Sequence, residues 1–144
     1  WNYLQSGAVS VQDADAIVIL LGTNGGNDPD RDTPDNDAYR DILRWCHAHA
    51  PAATVFLGTP PHATRNPAMS NCGYADQAEA GARFVRRVAQ ETGDVLIDLA
   101  KCPAFCAENE AVMQPNDGLH FSAVGYELLA QNVEAVLRDH LKCD

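Results

Sequence analysis

The sequence predicts an α/β domain built on a parallel sheet, and 144 residues are enough for one domain only, spanning residues 1–144. Three apolar runs, at 15–24, 53–61 and 94–100, are typical of strands buried on both faces. Each run is followed by a stretch with apolar residues at helical spacing. Because strand and helix alternate three times, the strands should be parallel and joined by right-handed crossovers.

Three helices are predicted, each with one apolar face. The first covers 36–49, the second covers 75–91, and the third begins near Ser122, a residue type that is favoured as an N-cap. Their apolar positions are Ile42, Leu43, Trp45 and Cys46; Ala78, Ala82, Val85 and Val88; and Leu128, Leu129, Val133, Val136 and Leu137.

Composition restricts the class of protein. Hydrophobic residues make up 46% of the chain and charged residues 21%, which is the balance of a globular protein. The formal net charge of −10 argues against nucleic acid or an anionic membrane as a partner. No apolar run approaches the roughly 20 residues of a transmembrane helix, so no membrane span is expected.

The chain contains five cysteines, which is many for a cytosolic domain of this size. Their spacing fits no tetrahedral zinc pattern, and no metal site is predicted. Two interpretations stay open: a set of buried thiols, or one or two disulfides in a secreted or extracytoplasmic protein. Under the second interpretation, a bridge between Cys102 and Cys106 is expected because the two are close in sequence. The cysteines are Cys46, Cys72, Cys102, Cys106 and Cys143.

Polar residues follow the ends of all three predicted strands. Asn24 follows the first, His62 follows the second, and the segment from 101 to His120 follows the third. In parallel α/β sheets, ligands bind outside the carboxyl ends of the strands. These residues should therefore share one rim, where His62 would line a substrate pocket.

Asp117 and His120 lie three residues apart, directly before the last helix, in "NDGLHFSAVGY". A carboxylate that accepts the Nδ1–H of an imidazole fixes its tautomer and stabilises the imidazolium formed during proton transfer. The alternative is a solvated loop in which Asp117 caps a turn. The spacing alone does not decide between them.

The segment "GTNGGN", at 22–27, follows the first apolar run. Here the Asn24 amide can be directed at a developing oxyanion, while Gly22 and Gly25 let the backbone turn close to a substrate. The alternative is an ordinary turn, since Gly and Asn are common turn residues.

Other clusters indicate no site. The acidic residues at 28–32 alternate as in a calcium loop, but Pro29 and Thr33 disturb the turn and no Glu completes the ligands. His47 and His49 are expected on the surface of their helix.

Taken together, "LLGTN" and "DGLHFSAVGY" resemble two sequence blocks of the SGNH (GDSL-type) esterase and lipase family. The resemblance runs from about residue 13 to residue 142. It implies that Asn24 is an oxyanion donor and that Asp117 and His120 are the acid and base of a catalytic triad. Gly25 departs from the Asp that often follows this asparagine, as in relatives that act on O-acetylated carbohydrates.

The resemblance implies a flavodoxin-like three-layer α/β/α fold with a five-stranded sheet, of which this chain supplies the last three strands. It also implies hydrolysis of an ester substrate, an acylated carbohydrate or a lipid, or acyl transfer by the same chemistry. No metal or organic cofactor is expected.

The family's nucleophilic serine lies on an earlier β-α-β unit. Only residues 1–13 precede the first predicted strand, fewer than the roughly 30 residues that a β-α-β unit needs. We therefore expect an N-terminal segment upstream of Trp1 to supply the serine. None of the four serines of the chain is expected to be the nucleophile: Ser6 and Ser10 follow no strand-like run, Ser70 lies in a loop, and Ser122 is explained as a helix cap.

Two other interpretations stay open. The domain could be a non-catalytic member of the same fold, used for binding or assembly. It could also be an unrelated flavodoxin-like domain in which both motif matches are accidental. The presence or absence of a serine segment in the intact gene product distinguishes the enzyme from the binding domain.

Overall fold

The structure of the protein is a computed structural model that describes residues 2–141. The three predicted strands and the three predicted helices are present, together with two short helices that were not predicted. In chain order they are α1 (Asn2–Gln5), β1 (Ala16–Leu20), α2 (Pro34–His49), β2 (Thr54–Gly58), α3 (Ala75–Thr92), β3 (Val95–Ile97), α4 (Glu110–Met113) and α5 (Ala123–His140).

The three strands form one parallel sheet in the order β1-β2-β3, which confirms the predicted α/β class. Val18 lies opposite Phe56, and Leu57 lies opposite Leu96. The strands are shorter than the apolar runs that predicted them. The rest of each run, at its carboxyl end, enters the loops that build the candidate site.

Helices cover both faces of the sheet, so the described residues form three layers. Helices α2 and α3 pack on one face, and α5 packs on the other. The core of the first face includes Ile19, Tyr39, Leu43, Val55, Leu57, Phe84, Val85 and Val88. The core of the second face is centred on Phe56, Ile97, Leu99 and Phe105, with Leu128, Leu129, Val133, Val136 and Leu137 from α5.

Strand β1 departs from the expectation that each strand is buried on both faces. Only Ile19 of this strand is buried, whereas Val18 is 37% exposed and Leu20 is 44% exposed. The expectation is wrong for β1, because β1 is one of the two edge strands of the described sheet and α5 packs over β2 and β3. It holds for β2, where four of five residues are buried.

Side-chain caps fix the starts of the two helices that flank the site loops. The Thr33 hydroxyl accepts a hydrogen bond from the Asn36 N–H, and the Ser122 hydroxyl accepts one from the Gly125 N–H, both at 3.1 Å. The N-cap predicted at Ser122 is therefore present. It sets where the loop carrying Asp117 and His120 ends and where α5 begins.

Candidate active site

Asp117 and His120 are in direct contact at the carboxyl edge of the sheet. The His120 Nδ1 lies 2.6 Å from the Asp117 Oδ2. The other carboxylate oxygen accepts the backbone N–H groups of Leu119 and His120, each at 2.9 Å. With Nδ1 donating to Asp117, the Nε2 of the neutral ring is left as a proton acceptor. The contact predicted from the spacing is present, while its catalytic role stays a prediction.

The electrostatics of this pair favour an ionised carboxylate. The pKa of Asp117 is lowered to about 2, because the carboxylate accepts hydrogen bonds from the His120 side chain and from two backbone N–H groups. Asn71 adds a further hydrogen bond from its Nδ2 to Oδ2, at 2.9 Å. The carboxylate is thus charged at neutral pH and held in position to orient His120.

Gly118 explains why the turn between the acid and the base is so tight. Its φ of +77° lies in the left-handed region that favours glycine. A Cβ at this position would lie 1.9 Å from the Cγ2 of Thr64. The turn therefore requires glycine both for its backbone conformation and for its approach to the loop after β2.

Asn24 and His120 line the same cleft, at the carboxyl ends of β1 and β2. The cleft has a volume of about 230 Å³. No group within residues 2–141 forms a hydrogen bond with the Asn24 side chain, so its amide is available to a ligand. The lining residues are Leu20, Leu21, Thr23, Asn24, Thr59, Pro60, Pro61, His62, Leu99, Leu119, His120, Phe121, Tyr126 and Leu129.

Gly22 and Gly25 do not line this cleft but a neighbouring depression next to β1, which also includes Asn27 and Tyr39. Gly22 has a φ of +115°, and a Cβ there would lie 3.2 Å from Pro60. The glycine therefore lets the Asn24 loop pack against the loop after β2. The substrate-binding role of the two glycines stays a prediction.

His62 lies in the cleft with His120, and its partner was not foreseen from the sequence. Its Nε2 is 2.6 Å from the Oε1 of Glu110, the first residue of α4. The two residues are 48 positions apart, and no local pattern signals their contact. The same applies to Asn71, which is 46 positions from Asp117.

No serine within residues 2–141 lines the cleft. Ser122 donates to the Val112 carbonyl at 2.8 Å while it caps α5, so its hydroxyl has a structural role. The Thr59 hydroxyl accepts from the Ala100 N–H at 2.9 Å and donates to Asp98. The cleft therefore includes His120 and Asn24 but no serine among the described residues.

The four described cysteines are free thiols, so the expected Cys102–Cys106 bridge is not present. The Sγ of Cys106 instead accepts a hydrogen bond from Asn109 at 3.4 Å, and Cys102 packs against the core beneath α5. Cys46 is buried, and burial raises the pKa of its thiol. Cys143 lies outside the described residues.

Comparison with known proteins identifies the family. Residues 2–128 match the GDSL-like lipase/acylhydrolase family. The chain belongs to this family. The predicted resemblance to SGNH (GDSL-type) enzymes is therefore confirmed, and with it the class of ester-hydrolysing serine hydrolases.

Solved structures of esterases share the fold of this GDSL-family chain. A lipase/acylhydrolase from Enterococcus faecalis is 25% identical with a TM-score of 0.67, and the match covers 98% of this chain and 73% of that one. A peptidoglycan O-acetylesterase is 26% identical with a TM-score of 0.65, covering 88% and 39%. The native M. smegmatis aryl esterase is 21% identical with a TM-score of 0.63, covering 94% and 67%, and this likeness shows the fold alone.

No curated protein sequence matches the chain. Within residues 2–141, no helix is long and apolar enough to cross a membrane.

Proposed function

We propose that this domain forms the base and oxyanion side of a serine esterase site, which hydrolyses esters or transfers the acyl group by the same chemistry. The observation that carries the proposal is the 2.6 Å contact between His120 and Asp117 in a cleft that also includes Asn24. In this role His120 Nε2 is the base, Asp117 orients it, and the Asn24 amide stabilises the oxyanion.

The proposed reaction uses a serine as nucleophile. The serine Oγ bonds to the acyl carbon while its proton passes to His120 Nε2, and the carbonyl electrons move to an oxyanion beside Asn24. The bond to the alcohol then breaks, and His120 returns the proton to the departing oxygen. Water repeats the sequence on the acyl-serine and releases the acid.

The serine itself, in this proposal, comes from a segment upstream of Trp1 that pairs with the open edge of β1. Three observations on the described residues support it. The cleft includes no serine, Val18 and Leu20 are exposed on the edge strand, and the buried Asn27 Nδ2 and Tyr39 hydroxyl lack hydrogen-bond partners. An unpaired strand edge and buried unpaired polar atoms both favour a further chain segment at this position.

The substrate in this proposal is a small ester, either an acylated carbohydrate or a lipid. The solved relatives include a peptidoglycan O-acetylesterase and an aryl esterase, which supports ester chemistry without fixing the alcohol. A secreted or extracytoplasmic location fits extracellular substrates of this kind. The net charge of −10 makes nucleic acid an unfavourable partner.

The lack of a serine in the described cleft also favours a second candidate function, a non-catalytic GDSL-type domain used for binding or assembly. A fluorophosphonate probe, which labels activated serines, distinguishes the two. We expect the intact gene product to be labelled on a serine upstream of Trp1, and His120→Ala to abolish labelling. An intact product that is never labelled would support the binding domain.

Residues 1–144 alone should be neither labelled nor active on a small activated ester. Turnover by this chain that depends on His120 would show that a serine within it performs the attack. That result would contradict the upstream position of the nucleophile while leaving ester hydrolysis in place.

A further inference from the structure

One residue of the cleft, His62, belongs to a second imidazole–carboxylate pair that the proposed chemistry does not use. His62 Nε2 lies 2.6 Å from Glu110 Oε1, and their side chains are only 24% and 14% exposed. His62 follows β2, whereas Glu110 starts α4, so the fold alone brings them together. Two half-buried partners at this distance form a defined hydrogen bond rather than a transient surface contact.

Neighbouring groups fix the pair from both sides. The Thr64 hydroxyl donates to the second Glu110 oxygen at 2.7 Å. Burial of the Glu110 carboxyl raises its pKa, but the hydrogen bonds from His62 and Thr64 outweigh this and lower the pKa overall. Gln114 Nε2 donates to the backbone carbonyls of His62, at 2.7 Å, and Leu119, at 3.1 Å. His62 is therefore held against the loop that carries His120.

The Glu110 carboxylate determines which ring nitrogen of His62 is free to form a hydrogen bond with a ligand. An ionised Glu110 only accepts hydrogen bonds, so in the neutral ring the proton sits on Nε2 and the lone pair sits on Nδ1. No group within residues 2–141 forms a hydrogen bond with Nδ1. His62 lines the mostly apolar cleft and also a second cavity, which Ala63 and Phe105 border, so its Nδ1 lone pair is an unused acceptor next to the cleft.

We propose that His62 Nδ1 accepts a hydrogen bond from a free hydroxyl group on the alcohol part of the ester. The site then prefers partially acylated polyols, the chemistry of an acylated sugar, to esters of hydrocarbon alcohols. This inference rests on the proposed function, since it assigns the alcohol side of the same cleft. A pocket that offers a polar partner disfavours a ligand lacking the matching group, because the partner is then left unpaired.

The first test uses the chain of 144 residues and needs no catalysis. Long-range ¹H–¹⁵N NMR at a pH of about 8, above the ordinary histidine pKa of about 6.5, reports the tautomer of each ring. We expect His62 to carry its proton on Nε2, and trans-1,2-cyclohexanediol to shift its Nδ1 resonance more than cyclohexanol does. A proton on Nδ1, or equal shifts with the two alcohols, would overturn the proposal.

The second test uses the intact gene product and a matched pair of esters, 2-hydroxycyclohexyl acetate and cyclohexyl acetate. The ratio of their kcat/KM values should favour the hydroxylated ester by about 10-fold, the scale of one hydrogen bond of about 1.4 kcal/mol. His62→Leu should bring the ratio close to one, and Glu110→Gln should lower it partly because the tautomer is no longer fixed.

His47→Leu is the matched control, because the exposed His47 forms a similar pair with Asp94 at 3.2 Å, and neither residue lines the cleft. It should leave the ratio unchanged. A ratio near one in the unaltered protein would contradict the role of His62 while ester hydrolysis stood. Hydrolysis of neither ester would contradict the proposed function, and the NMR comparison of the two alcohols would then decide the hydroxyl contact alone.

Discussion

The two histidines of the cleft contact their carboxylate partners at the same distance but differ in solvent exposure. Both contacts measure 2.6 Å. The His120 side chain is 69% exposed, whereas that of His62 is 24% exposed. A base must exchange protons with substrate and water, so exposure suits His120. A group that recognises a substrate must keep one orientation. The lower exposure of His62 and its hydrogen bond to Glu110 suit that role. Under the roles proposed above, two similar pairs would act differently because their solvent exposure differs.

The largest difference in activity between variants of the two pairs should appear when the His120 imidazole is removed. His120→Ala in the intact gene product should lower kcat by at least about 10⁴, because no other group takes the serine proton. His62→Leu assayed on the same ester should lower kcat/KM far less. Steady-state kinetics of both variants make the comparison. Equal losses would show that His62 is a second essential acid–base group.

Asn24 should give the next largest effect. Asn24→Ala should lower kcat by about 10²–10³, because one oxyanion donor is lost, with little change in Tm. Kinetics and thermal unfolding of the same preparation test this. A fall in Tm that matches the loss of activity would make Asn24 a structural turn residue instead.

Gly118 links the two pairs, since its carbonyl accepts the Thr64 N–H at 2.9 Å and Thr64 in turn binds Glu110. Gly118→Ala places a methyl group against Thr64 and strains the left-handed turn. We expect a loss of roughly 1–3 kcal/mol in the free energy of unfolding. Urea denaturation measures it, and Gly73→Ala, where a Cβ meets nothing within 4 Å, is the control. Equal effects at both positions would contradict the close approach.

The smallest effect concerns pH. The pKa of Asp117 is about 2 in the folded protein, below the ordinary value of about 3.9 for an unfolded Asp. Its hydrogen bonds therefore stabilise the fold above about pH 4, and this contribution disappears as the pH falls towards 2. The stability difference between the unaltered protein and Asp117→Asn should shrink between pH 5 and pH 3. A difference that stays constant over this range would indicate an unshifted pKa.

Local patterns predicted much of this molecule. The apolar residues of the helices, the Ser122 cap and the Asp117–His120 contact all depend on residues within a few positions of each other, where spacing fixes geometry. The contacts of Glu110 with His62 and of Asn71 with Asp117 were not predicted. Each joins residues more than 40 positions apart. Sequence spacing carries no information of that kind.

The open edge of β1 also sets how quickly backbone hydrogens exchange with solvent. In a parallel ladder, alternate N–H groups of an edge strand point away from the sheet, whereas a central strand has a partner on each side. Amides of β1 should therefore divide into a fast-exchanging and a protected set, while those of β2 stay protected throughout. A chain segment that pairs with this edge would slow hydrogen exchange of the fast-exchanging set alone. Exchange rates of the individual β1 amides would therefore detect the pairing.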